Sequence, residues 1–116
     1  MELKRVVVTG LGALTPIGNN VNEYWDNLIS GKSGAAPITY FDTEKFKTKF
    51  ACELKDFNVL DFLDRKEARK MDRFTQYAMV ASEEAISDSK IDLESIDNYR
   101  AGVISVSYTH LRAHET

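Results

Sequence analysis

Four groups of residues in this sequence could do chemistry: three glycines near the start, one cysteine, two histidines near the end and a run of cations in the middle. Gly10, Gly12 and Gly18 stand where a glycine-rich turn would let backbone amides approach a pyrophosphate at a helix start. The third glycine of that dinucleotide fingerprint belongs at position 15, which holds Thr15 followed by Pro16, and no strand ending in an acid follows about 20 residues on. A tight strand-to-helix turn explains the glycines better, which leaves a nucleotide-binding α/β domain as a distant alternative. Cys52 lies in Phe50-Ala51-Cys52-Glu53-Leu54 with no histidine in its neighbourhood. A nucleophilic thiol needs an imidazole or a helix N-terminus to lower its pKa, so Cys52 reads as structural. His110 and His114 are four apart, which puts two imidazoles on one helix face, but two ligands without a third make a weak metal site.

The cations are the most informative group. Residues 65–73 hold Arg65, Lys66, Arg69, Lys70 and Arg73 against Glu67 and Asp72. This excess falls at the start of a predicted helix, where the backbone already presents partial positive charge, so the segment gives up stability. Glu83, Glu84 and Asp88 are equally misplaced at its other end. A solvated helix face is one explanation of such a run. The other is an anion-docking surface for a phosphate or an acidic protein, on which basic side chains and helix-start amides act together.

The rest of the sequence bounds these readings. At 116 residues it is one small domain at most, or a piece of a larger one, on a prior of about 150 residues per domain. With 43% hydrophobic and 28% charged residues its composition is globular. Fifteen Lys and Arg against eighteen Asp and Glu leave a net charge of −3, which gives the whole chain no electrostatic footprint for nucleic acid or an anionic membrane. One cysteine makes no internal disulfide, the first residues have too short an apolar run for a signal peptide, and no window reaches the roughly 18 apolar residues of a membrane span. The expected location is the cytoplasm.

Several elements must position these groups. Arg5–Thr9 is a β-branched run closed by Gly10-Leu11-Gly12, predicting a strand buried on both faces, as in parallel sheets. Asn20 caps a helix whose apolar residues Val21, Tyr24, Trp25, Leu28 and Ile29 share a face, with Glu23 completing a capping box and Gly31 stopping it. From Lys32 to Leu63 no period holds, although six aromatic residues are spread through the stretch, and such a segment is a functional loop or a surface awaiting a partner. Asp64, with Glu67 three residues on, caps a second helix expected to run unbroken from Arg65 to about Ser89. At about 100° per residue it carries Ala68, Met71, Phe74, Thr75, Ala78, Ser82, Ala85 and Ile86 on one side and the five cations on the other. After a polar stretch, residues 99–104 predict a second buried strand. Strand, helix, irregular insert, helix and strand together open an α/β layered domain.

The opening Arg5-Val6-Val7-Val8-Thr9-Gly10-Leu11-Gly12-Ala13-Leu14-Thr15-Pro16-Ile17-Gly18 resembles the start of a β-ketoacyl-acyl-carrier-protein synthase, the condensing enzyme of bacterial fatty acid synthesis. Trp25, Leu28-Ile29-Ser30-Gly31-Lys32-Ser33-Gly34, Phe41-Asp42, Lys49-Phe50-Ala51, and Asp64 to Asp72 leading into Gln76-Tyr77 are similar to that family in order and spacing. The resemblance covers residues 4–104 and is nearest the type II synthases. It implies a thiolase-like α/β/α/β/α layered fold of which residues 1–105 are the amino-terminal part. It also implies a cofactor-free homodimer that elongates an acyl chain by decarboxylative condensation with malonyl carrier protein. In such synthases the residues matching Lys66, Arg69 and Lys70 contact the acidic acyl carrier protein, and Arg65 and Arg73 add steering charge. Cys52, His110 and His114 match neither the family's nucleophile motif nor its histidine motifs, so the chain is expected to supply no catalytic residue and to be inactive alone. A non-catalytic chain-length partner of the same superfamily is the alternative.

Residues 106–116, Val-Ser-Tyr-Thr-His-Leu-Arg-Ala-His-Glu-Thr, depart from the small, Gly-rich turn the family pattern continues into. They are similar to translated sequencing-adapter DNA and are expected to be a non-native tail. A parallel sheet short of strands leaves open edges and an uncovered apolar face, so the isolated chain is expected to be poorly soluble or molten.

Overall fold

The computed structural model describes residues 2–106, so His110, His114 and nearly all of the expected tail lie outside the described residues. Its first element is α1 (Val21–Ile29), and it starts for the reason the sequence gives: the Asn20 side chain accepts from the Glu23 amide at 2.9 Å. The helix ends before Gly31, which sits at φ 76°. Ahead of it, Thr15 and Gly18 exchange backbone hydrogen bonds across a two-residue turn at Pro16-Ile17.

The insert is ordered mainly by side chains reaching backbone groups. Its only sheet among the described residues is a two-residue antiparallel pair, β1 (Ala36–Pro37) with β2 (Phe50–Ala51), in register Ala36 to Ala51. Glu53 accepts from the Thr39 amide and hydroxyl at 3.0 Å each. The Lys49 ammonium donates to the Thr43 and Glu44 carbonyls. The Lys55 ammonium donates to three carbonyls, those of Pro16, Gly34 and Glu53, and so ties the insert to the turn before α1. A loop held this way needs no periodic apolar pattern, which is why the sequence shows none.

The expected long helix is two helices. α2 (Arg65–Arg69) ends at Lys70, and α3 (Arg73–Ser89) starts afresh after Asp72. Three like-charge pairs four residues apart, Arg65 with Arg69, Lys66 with Lys70 and Arg69 with Arg73, oppose a continuous helix. The break is stabilised by Gln76, whose side-chain amide donates to the Ala68 carbonyl at 2.8 Å. Of the face expected to point inward, Ala68 is buried and Met71, Thr75, Ala78 and Ala85 are half-buried, whereas Phe74, Ser82 and Ile86 are exposed; Val80, buried, and Tyr77, Ala81 and Glu84, half-buried, widen that face.

The two expected strands are also corrected. Residues 5–9 and 99–104 form no strand; Asn98–Arg100 is a 3-10 turn, and Val8 is 79% and Ile104 92% exposed. A strand buried on both faces needs hydrogen-bonded neighbours and covering layers, and the described residues supply neither. The ends of the two runs, Thr9–Gly10 and Ala101–Val103, instead border one open apolar cavity of about 400 Å³ against Ala85 and Ile86 of α3. Buried apolar residues amount to Ala68 and Val80 among those described.

Candidate functional site

The site begins with why the chain can cross α3 so closely. A Cβ on Gly12 would collide with the Ala81 carbonyl oxygen, and one on Gly10 with that of Ala85, so only glycine lets residues 10–13 lie on the helix backbone. Close packing on α3, rather than the expected strand-to-helix turn, is what requires Gly10 and Gly12. Carboxylates on α3 then hold the segment. Asp88 accepts from the Leu11 amide at 2.9 Å, and Glu84 accepts from the Ala13 amide at 2.9 Å and the Val21 amide at 3.0 Å. Val21 opens α1, so Glu84 satisfies one of that helix's otherwise unpaired first amides. Two acids that the dipole rule counts as misplaced therefore fasten the glycine segment and α1 to α3. The signal was their spacing of four on one helix face, but their partners lie 63–77 residues away in sequence.

The five cations are split by the break. Arg65, Lys66 and Arg69 project from α2, Lys70 caps it, and all four are exposed. Lys70 is partly engaged, with its ammonium 3.6 Å from Glu67. Ala68 is buried and α2 packs on the 3-10 turn Val59–Asp61, so the cations stand on a supported surface. The expected help from helix-start amides does not survive: α2 has five residues, too few for an appreciable macrodipole, and the Asp64 side chain makes no cap hydrogen bond.

Arg73 belongs to a different setting. Its guanidinium carbon lies 4.4 Å from the centre of the Tyr40 ring, a cation–π contact that joins the insert to the start of α3. Behind it, Phe57 meets the Tyr77 ring edge-on at 5.8 Å and stacks on Phe62 at 5.8 Å. Tyr40, Phe57, Arg73 and Tyr77, but not Phe62, line an open cavity of about 540 Å³ with both polar and apolar walls. The Tyr77 phenol is raised above its ordinary value of 10.0, first by burial and then by the hydrogen bond it shares with Tyr40, while Arg73 opposes the rise. Unfolded tyrosine ionises first, so the stability Tyr77 contributes is present below pH 10 and lost as pH climbs through its raised value. A Tyr77→Phe variant is accordingly expected to lose less thermal midpoint than the parent above pH 10, a difference in which the other tyrosines cancel.

Cys52 is exposed, so it is no core residue. No group of three or more metal-ligating side chains occurs among the described residues, and no described helix is long and apolar enough to cross a membrane.

A family model described as the N-terminal domain of beta-ketoacyl synthase matches residues 3–115. The 3-oxoacyl-(acyl-carrier-protein) synthase 2 of Synechocystis sp. is 49% identical over 104 residues, 90% of this chain and 25% of its own length. The enzyme of the same name from Staphylococcus aureus is 52% identical over 100 residues, 86% of this chain and 24% of its own. The chain thus spans about a quarter of these curated relatives. Among solved structures, the ishigamide ketosynthase/chain length factor matches 76% of this chain and 22% of its own, with a TM-score of 0.69 and 40% identity. A ketosynthase solved in complex with a type II polyketide acyl-carrier protein matches 78% of this chain and 23% of its own, with a TM-score of 0.58 and 27% identity.

Proposed function

Because the chain belongs to the β-ketoacyl synthase family through its N-terminal domain, we propose that it is the amino-terminal part of a 3-oxoacyl-(acyl-carrier-protein) synthase of fatty acid biosynthesis. The fold is thiolase-like, represented by its amino-terminal part. The complete enzyme is an acyltransferase. It takes an acyl chain onto a cysteine, decarboxylates malonyl carrier protein in a pocket framed by two histidines, and joins the two carbon units. It works as a cytoplasmic homodimer without a cofactor.

This segment's own part is docking. Lys66, Arg69 and Lys70 meet the acidic carrier protein, with Arg65 and Arg73 beside them. Exposed cations on a short, well-supported helix raise the encounter rate and set orientation, a role that salt screens. The observation that carries the reading is the near-half identity to two 3-oxoacyl synthases along almost the whole chain. The ketosynthase neighbour in complex with its carrier protein supports the partner.

A complete synthase carrying this segment is expected to condense acyl and malonyl carrier protein with release of carbon dioxide, and the 116-residue chain alone to condense nothing. Carbon dioxide release from labelled malonyl carrier protein measures both. The ketosynthase/chain length factor neighbour favours one second reading, a chain-length partner. That protein would bind the carrier yet show no condensation by itself.

A further inference from the structure

Helix α2 cannot hold its own shape. Its five residues fall far short of the roughly 12–15 at which a helix in water becomes marginally stable alone, three of them are cations, and the Asp64 side chain makes no cap hydrogen bond. Its placement must therefore come from outside. Besides the packing on the Val59–Asp61 turn, two attachments meet at Ala68: its methyl group is buried, and its carbonyl accepts from the Gln76 side-chain amide at 2.8 Å. A small buried side chain by itself leaves a short helix free to roll about it, and a bond to the carbonyl, which points along the helix axis, removes that freedom. We infer that Gln76 is a positioning residue for carrier docking, which through the Ala68 carbonyl fixes the direction in which Arg65, Lys66 and Arg69 project. This rests on the docking reading above and adds to it the residue of α3 that orients the docking helix.

The residue type suits this role. Gln76 is half-buried in the first turn of α3, and its own backbone amide donates to the Asp72 carbonyl at 3.0 Å, so it reaches α2 from a fixed base. Its side-chain nitrogen faces two carbonyls, that of Ala68 and, at 3.5 Å, that of Met71, so the NH2 end and not the oxygen must point this way. A glutamate there would offer no donor, and a lysine would add a sixth cation to the five. Attraction at long range depends on how many charges α2 carries, which Gln76 does not alter. Ion pairs in contact depend on where those charges stand, so Gln76 governs dissociation rather than encounter.

The test uses a complete synthase carrying this segment and unloaded carrier protein. Gln76→Met, close in volume and without a donor, is expected to raise Kd about fivefold through faster dissociation, the effect of one ordinary hydrogen bond. Its association rate and the salt dependence of that rate stay those of the parent, whereas Lys66→Glu slows association and weakens its salt dependence. Turnover of a carrier-free malonyl thioester, which needs no docking, is expected to be unchanged in Gln76→Met. A fall in that turnover to match the rise in Kd makes Gln76 a part of the general fold and overturns the proposal. An unchanged Kd for Gln76→Met beside slowed association for Lys66→Glu overturns the positioning role and leaves docking standing; no effect from either overturns both. Should Gln76→Met fail to fold, hydrogen exchange of the parent decides the matter. The Ala68 and Met71 amides, which donate to the Asp64 and Ala68 carbonyls, are expected to be as protected as the Gln76 amide, and exchange at the rate of an unstructured chain overturns the proposal.

Discussion

Reversing Lys66, Arg69 and Lys70 to Glu together is expected to weaken carrier binding about 100-fold at low salt and to flatten its salt dependence. An exposed ion pair contributes roughly 0.2–1 kcal/mol, and reversal replaces that attraction with a comparable repulsion. Three positions then sum to about 3 kcal/mol, or about two decades in Kd. Of the single reversals, Lys70→Glu should cost least, because its ammonium already pairs with Glu67 at 3.6 Å. Raising the ionic strength should bring parent and triple variant together, since the Debye length falls to about 3 Å at 1 M. Calorimetric titration at two salt concentrations measures this. Equal affinity and equal slope for parent and variant would sink the docking role of α2.

The second large effect lies away from the cations. Glu84→Ala is expected to destabilise a complete synthase by about 3 kcal/mol, because it removes the acceptor for two backbone amides, Ala13 and Val21, at 2.9 and 3.0 Å. A hydrogen bond to a charged group contributes roughly 1.5–3 kcal/mol, and a part-buried amide left unpaired adds its own desolvation cost. Glu84→Gln keeps one acceptor oxygen, so about half the loss should return. Urea unfolding of the three proteins gives the ordering. A Glu84→Ala variant as stable as the parent would mean that water replaces the carboxylate at no cost, and that Glu84 holds nothing in place.

Local features were legible in the sequence, and non-local ones were not. Asn20, Glu23 and Gly31 announce both ends of α1, because a cap and a stop act within a few residues. The cation cluster at 65–73 is a matter of composition and needs no fold to be noticed. The break at residues 70–72 escaped because Ala68, Met71 and Thr75 keep a helical interval across it. Its trace was the like-charge crowding, which shows the cost of a continuous helix but not where it yields. The roles of Glu84 and Asp88 were hidden for a different reason: the rule that sets acids at helix starts concerns a helix by itself, and these two serve another segment. Arg73, grouped with its neighbours by charge, is separated from them by a single ring contact with Tyr40, 33 residues away by number.

The amides that Glu84 and Asp88 hold belong to Leu11, Ala13 and Val21, 63–77 residues earlier in the chain. At about 5–20 residues per second of synthesis, a gap of this length takes roughly 3–15 s to translate. For that interval the glycine segment has been made but its two carboxylates have not. The nascent protein therefore passes through a vulnerable stage that ends only when the carboxyl half of α3 emerges. Any factor that shields its first twenty residues until then acts at the point where premature association is most costly.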